Sequence, residues 1–116
     1  MSQLKPLSYF DYYQILDHRQ DPSLVCFTKP SCGGCRRLKK LLNDTPLTIP
    51  GLQCFNVLVE DSYGLVEEFE IFHLPTMLLY VQGQYHCEIT SRLTRHDLEE
   101  AITLALQRPA EESSTR

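Results

Sequence analysis

Apolar residues recur along the chain in two patterns, one with the spacing of helices and one in short continuous runs. Spacing of three or four residues predicts four helices. They are a helix from about Ser8 to Arg19 with apolar positions Phe10, Tyr12, Tyr13, Ile15 and Leu16, one from Cys32 to about Leu42, a short one that Ser62 caps, and a last one that Thr94 caps. Ser8 and Asp11 have the spacing of a capping pair at the start of the first helix.

The continuous apolar runs predict strands at Ser23–Thr28, Gln53–Val59 and Thr76–Val81. Gln82-Gly83 makes a tight turn into a fourth strand over residues 84–90, and residues 2–7 can add an edge strand. Residues 43–51 contain two prolines and a glycine and are expected to be a loop. This order of elements predicts an α/β fold with a mixed four- to five-stranded sheet, flanked by helices on both faces. We expect one domain over residues 1–108 and a disordered tail over residues 109–116, which hold no large apolar side chain.

Composition narrows the function classes. The chain has 116 residues and a net charge of −4, whereas nucleic-acid-binding modules usually carry a basic excess. No apolar stretch approaches the roughly 20 residues of a membrane span, and the N-terminus lacks the apolar core of a secretory signal. Five cysteines, an odd number, indicate reduced thiols rather than a disulfide framework. We therefore expect a cytoplasmic protein without nucleic-acid or membrane partners.

The candidate chemistry lies in Cys32-Gly33-Gly34-Cys35, where a turn leads from a strand into a helix. Unpaired N–H groups and the positive end of a helix dipole favour the thiolate, which is the form that attacks disulfides. The flanking residues act in the same direction, because residues 29–40 hold five basic side chains and no acid: Lys29, Arg36, Arg37, Lys39 and Lys40. Half of a zinc site and an inert pair of core cysteines are the alternatives, but no second closely spaced ligand pair is present to complete a zinc site. We therefore expect a redox pair and no metal.

The segment LVCFTKPSCGGCRRLKKLL, with Leu74-Pro75-Thr76-Met77-Leu78-Leu79 and Gly83 downstream, resembles the thioredoxin family. The resemblance covers the chain except its tail. It implies the thioredoxin fold, with a cis peptide before Pro75 that faces the cysteine pair. It also implies that Cys32 is the nucleophile, that Cys35 resolves the mixed disulfide, and that their disulfide is the only redox group. Leu74, Pro75, Gly33 and Gly34 would contact an extended substrate segment.

Several positions depart from the family pattern. Ser31 stands where a tryptophan is common, Gly34 replaces a proline, and Lys40 replaces another proline. Cys26 replaces a buried acid, and Asn56 aligns with the lysine that accompanies this acid. A neutral thiol is a poor base at pH 7, so we expect slow resolution or another proton acceptor such as Glu60, His73 or water.

Five residues are therefore expected to tune the site: Cys26, Lys29, Arg36, Asn56 and His73. His73 can instead be an ordinary exposed loop histidine. A Cys26–Cys35 disulfide under strong oxidation is a further hypothesis. We expect Cys54 and Cys87 to be structural residues on opposite sides of the central strands.

The leading hypothesis is a monomeric reductase of protein disulfides, recycled by a reductase or a dithiol donor. A glutaredoxin-like enzyme is a second hypothesis, although Leu74-Pro75-Thr76 lacks the usual Thr-Val and no Gly-Gly follows the third strand. A binding or adaptor module without turnover is a third.

Residues 60–70 hold five acids and no base, which predicts a solvated helix face or, alternatively, a surface that steers a basic partner: Glu60, Asp61, Glu67, Glu68 and Glu70.

Overall fold

The computed structural model describes residues 4–111, in which five strands form one mixed sheet. The strands are β1 (Leu4–Pro6), β2 (Ser23–Thr28), β3 (Gln53–Leu58), β4 (Thr76–Val81) and β5 (Gln84–Ile89), in the order β1-β3-β2-β4-β5. The first three are parallel to one another, whereas β4 is antiparallel to β2 and β5 is antiparallel to β4. The predicted mixed sheet is confirmed. Residues 2 and 3 of the expected edge strand, and residues 112–116 of the expected tail, lie outside the described residues.

Helices cover both faces of this sheet, as predicted. They are α1 (Tyr12–Asp17), α2 (Gly33–Asp44), α3 (Tyr63–Glu68) and α4 (Arg95–Leu106). Side chains of β2 alternate between two buried clusters, because successive residues of a strand point to opposite faces. Val25 and Phe27 join the cluster of α1 and α3, and Leu24 and Cys26 join that of α2 and α4. A strand buried on both faces explains the uninterrupted apolar run in the sequence.

The first helix is shorter than predicted, and Phe10 was wrongly assigned to its apolar face. Residues 8–11 form a turn in which the Ser8 N–H donates to Asp11 Oδ1 at 2.7 Å, and α1 begins only at Tyr12. Phe10, predicted to be apolar core, is therefore 91% exposed, while Tyr12 and Leu16 are buried. The carboxylate closes the turn that precedes the helix and does not cap it, so the 3.6-residue count starts later.

One helix boundary and one capping hydrogen bond differ from the predictions. Helix α2 continues through Asn43 and Asp44, which were assigned to the loop. Ser62 stands at the N-cap position of α3, but its buried hydroxyl makes no capping hydrogen bond and has no partner among the described residues. Thr94, in contrast, caps α4 as predicted, because its Oγ1 accepts the Asp97 N–H at 3.2 Å.

The β4–β5 turn is confirmed and depends on a glycine. Gln82 and Gly83 both have positive φ angles, 53° and 77°, which two-residue hairpin turns of this hand require. A Cβ atom on Gly83 would lie 2.9 Å from the Asp17 carbonyl oxygen at the end of α1. The turn therefore packs directly against the first helix. Within residues 4–111, no helix combines the length and the apolar character needed to cross a membrane.

Candidate active site

Cys32 is the N-cap residue of α2 and follows the end of β2 by four residues. Its backbone is extended, with φ −94° and ψ 120°, and its Sγ accepts the backbone N–H of Cys35 at 3.1 Å. Both cysteines are free thiols, Cys32 partly exposed and Cys35 fully buried. The structure thus separates a partly exposed sulfur from a buried one.

The pKa of Cys32 is lowered from the ordinary value of a thiol. The largest cause is the hydrogen bond with the Cys35 thiol, and the backbone N–H groups of Cys35 and Gly34 and the charge of Lys29 act in the same direction. A hydrogen bond to the charged form favours that form. Cys32 therefore meets the requirement for a nucleophilic cysteine, which is a stabilised thiolate within reach of solvent.

The pKa of Cys35 moves in the opposite direction, to about 11. Burial is the main cause, followed by the hydrogen bond with Cys32, while the charge of Lys39 offsets part of the rise. The two sulfurs of one motif thus differ in ionisation as a nucleophile and a resolving thiol need to differ.

The loop before β4 approaches the cysteine pair. The Leu74–Pro75 peptide bond is cis, the configuration that the resemblance implied. A Cβ atom placed on Gly34 would lie 3.2 Å from Pro75 Cδ, so the two segments are in close contact. A side chain at position 34 would press on the proline.

The residues expected to tune the site have different surroundings. Lys29 acts on Cys32 through its charge, which favours the thiolate. The Arg36 guanidinium donates to the Pro30 carbonyl at 2.9 Å. His73 is mostly exposed, and its Nε2 lies 3.6 Å from Glu88 Oε2, so it points toward β5.

Asn56 and Cys26 are register partners on β3 and β2, and Cys26 belongs to the buried cluster beneath α2. Asn56 Oδ1 accepts a 2.6 Å hydrogen bond from Thr28 Oγ1, so this amide is held by its neighbour. Cys26 is fully buried, and desolvation raises its pKa well above the ordinary value, with Cys54 and Cys35 adding to the effect. It is a neutral thiol next to Cys35.

The remaining cysteines are buried, on strands that lie on either side of the central pair. Cys54 is on β3 and Cys87 on β5, with β2 and β4 between them. Three strand spacings amount to roughly 14 Å, which is too far for a disulfide. Within residues 4–111, no group of three or more His, Cys, Asp or Glu side chains is placed to hold a metal ion.

A groove of about 370 Å³ opens beside Cys32 and was not anticipated from the sequence. Its apolar lining comes mainly from α3 and the segments on either side of it: Val59, Tyr63, Val66, Ile71, Phe72 and Leu74. Lys29 and His73 complete it, and Glu60, expected as a proton acceptor, is not among the lining residues. The sequence carried no signal for this groove, because the exposure of Tyr63 and Phe72, which marks a candidate binding surface, is known only from the structure.

Comparisons with known proteins agree with this geometry. The thioredoxin family model matches residues 3–104. Thioredoxin domain-containing protein 2 of Mus musculus is 33% identical over 75 residues, which cover 61% of this chain and 15% of the mouse protein. Thioredoxin Y2, chloroplastic, of Arabidopsis thaliana is 25% identical over 104 residues, covering 89% of this chain and 62% of that protein. Human ERp44 in its zinc-bound form superimposes with a TM-score of 0.74 at 17% identity, covering 89% of this chain and 30% of ERp44.

The chain belongs to the thioredoxin family, and it has the thioredoxin fold. It spans less than two thirds of the length of either curated relative. Family membership and the spacing of Cys32 and Cys35 support a thiol–disulfide oxidoreductase type of function. They also support proteins as the general kind of partner.

Proposed function

We propose that this domain reduces protein disulfides through the Cys32/Cys35 dithiol. The observation that carries the proposal is the pairing of a partly exposed thiol of lowered pKa at the N-cap of α2 with a buried thiol of raised pKa three residues later. Five cysteines without a disulfide framework suit a reducing compartment, and we infer that the domain works in the cytoplasm.

The reaction has two exchange steps. The Cys32 thiolate attacks one sulfur of a substrate disulfide; a mixed disulfide forms, and the other substrate sulfur leaves as a thiolate. Cys35 then loses its proton and its thiolate attacks Cys32 Sγ. This forms the Cys32–Cys35 disulfide and releases the second substrate sulfur as a thiolate. The substrate gains two electrons and the dithiol loses them, and an external dithiol or a reductase restores the reduced pair.

The second step is the slower one in this proposal. Cys35 is protonated near neutral pH because its pKa is about 11, and the thiol beneath it, Cys26, is neutral as well. Cys26 therefore cannot accept the proton, which leaves solvent or His73, a residue of the groove beside Cys32, as the acceptor.

Turnover of a disulfide-bonded protein such as insulin, with dithiothreitol as the donor, tests the proposal. Replacement of Cys32 by serine should abolish catalysis. The Cys35→Ser variant should accumulate a mixed disulfide on Cys32 that intact-mass analysis detects. Cys87→Ala is the matched control, since Cys87 is buried on the far edge strand. If Cys32→Ser and the unsubstituted domain behave alike, the domain is a binding module and the proposal fails.

A further inference from the structure

We propose that the groove beside Cys32 selects disulfide partners in which an apolar side chain and a basic side chain flank the reactive cysteine. The inference rests on the proposed reduction and adds the chemistry of the substrate segment. One wall of the groove consists of α3 and the segments beside it and includes Tyr63 and Phe72, and the opposite wall holds Lys29. Each wall contributes to this selection.

The first requirement comes from two aromatic rings at the rim. Phe72 is 85% exposed and Tyr63 is 64% exposed, and both line the groove that contains Cys32. Single exposed apolar residues are common on surfaces, but here two rings border one apolar cavity next to the nucleophile. The chain has no tryptophan, and Ser31 precedes the nucleophile. Among the described residues, the bulky apolar contact beside Cys32 comes from Tyr63 and Phe72, and it favours an apolar anchor on the partner.

The second requirement comes from charge. Glu67 is exposed on α3, four residues after Tyr63, so it is the neighbour of that ring on the helix surface. Glu60 is exposed directly after the groove residue Val59, whereas Asp61 lines a separate cavity with Leu7 and Ser8. Residues 60–70 contain no basic side chain to offset these acids.

The opposite wall is basic, because it holds Lys29 and leads to Arg36 and Arg37 on α2. A segment that crosses the groove thus meets positive charge on the Cys32 side and negative charge on the α3 side. The partner's basic side chain fits on the α3 side, beyond the apolar anchor. We expect the apolar anchor to contribute most of the increase in rate constant and the charge to change the rate constant by a smaller factor, because exposed charge pairs contribute little.

The test compares three peptides of about ten residues, each linked to a second copy through one cysteine. Each carries leucine near this cysteine, with two lysines, two glutamines or two glutamates beyond it. The rate constant for attack by Cys32 is measured in the Cys35→Ser variant, where the reaction stops at the mixed disulfide. We expect the order lysine, glutamine, glutamate, with steps of about two- to fivefold that shrink as salt rises.

Two substitutions locate the effect, each with a matched control. Glu67→Gln should reduce the preference for lysine over glutamate, whereas Glu100→Gln, an exposed acid of α4, should not. Phe72→Ala should slow all three peptides by about tenfold, whereas Phe10→Ala, whose ring is equally exposed but outside the groove, should not.

Other outcomes would overturn the inference. A faster reaction with the glutamate peptide would assign selection to the basic wall, and an unaltered preference in Glu67→Gln would remove α3 from it. Equal rates, together with a dimer that Phe72→Ala dissociates, would assign the rim to a second copy of this chain. Bis(2-hydroxyethyl) disulfide separates the two proposals: if Cys32 reacts with this small disulfide but does not discriminate among the peptides, only the inference about selection fails.

Discussion

Replacement of Cys26 by aspartate tests whether proton removal from Cys35 limits the resolving step. With a pKa of about 11, roughly one Cys35 thiol in ten thousand is ionised at pH 7, against about one in thirty for a thiol of pKa about 8.5. The more basic thiolate is about tenfold more nucleophilic, which recovers part of this 300-fold loss. The net penalty is about 30-fold. These figures are upper limits for the mixed disulfide, because burial, the largest cause of the raised pKa, persists there, whereas the hydrogen bond and the charge of the Cys32 thiol do not.

A carboxylate at position 26 would act where the neutral thiol cannot. Cys26 is fully buried next to Cys35, so burial would raise the pKa of an aspartate there toward neutrality, the range in which a general base is most effective. We therefore expect Cys26→Asp to accelerate resolution about 10- to 30-fold at pH 7. Cys26→Ala supplies no base and should not accelerate it.

Stopped-flow mixing of the reduced domain with an aromatic disulfide separates the two exchanges, because each releases one coloured thiolate. The second phase should rise about tenfold per pH unit between about pH 6 and 9 in the unsubstituted domain, since Cys35 is protonated throughout. In Cys26→Asp it should level off once the carboxyl has ionised. An unchanged first phase and a urea unfolding curve verify the fold. If Cys26→Asp and Cys26→Ala resolve at one rate with one pH slope, the ionisation of Cys35 is not limiting.

Three further predictions follow from single contacts. Lys29→Met should raise the pKa of Cys32, because a charge that favours the thiolate is removed; the pH dependence of its alkylation measures this, and an unmoved curve would exclude Lys29 as a tuner. Tyr80→Phe should lower the free energy of unfolding in urea by about 1–3 kcal/mol, because it removes the 2.8 Å hydrogen bond between the Tyr12 and Tyr80 hydroxyls and leaves the buried Tyr12 hydroxyl without this partner. A double-mutant cycle with Tyr12→Phe should show coupling, and strictly additive effects would contradict this account. Arg19→Ala should lower the free energy of unfolding in urea by about 1.5–3 kcal/mol, because the guanidinium donates hydrogen bonds to Ser23 Oγ at 2.7 Å and to the Gly51 carbonyl at 2.8 Å. Arg19→Lys should restore only part of this stability, whereas full recovery would mean that the charge alone matters.

The predicted elements succeeded where burial alone decides the pattern. The run Thr76–Val81 is a strand with the predicted bounds, because it is buried inside the sheet between β2 and β5. The segment from Ser8 to Asp11 misled the prediction, because spacing alone does not distinguish a capping pair from a closed turn. Phe10 consequently looked like a core residue but is exposed.

The candidate site divides in the same way. The sequence predicts Cys32 and Cys35 at the start of a helix, and the structure places them there. This part of the site could be predicted, because a helix N-terminus favours a thiolate wherever the helix lies in the fold. The contacts of Asn56 and His73 could not be predicted from the sequence, because their partners Thr28 and Glu88 are distant in the chain.

The chain by itself thus determined the α/β architecture and the position of the candidate cysteine pair at the start of a helix, since both depend on local periodicity and on a motif of four residues. Only the tertiary structure decided what surrounds that pair. The groove that joins Cys32 to Tyr63 and Phe72, and the burial that places Cys26 beside Cys35, bring together residues from separate elements. Such contacts arise from how sheet and helices pack, and no spacing along the chain encodes them.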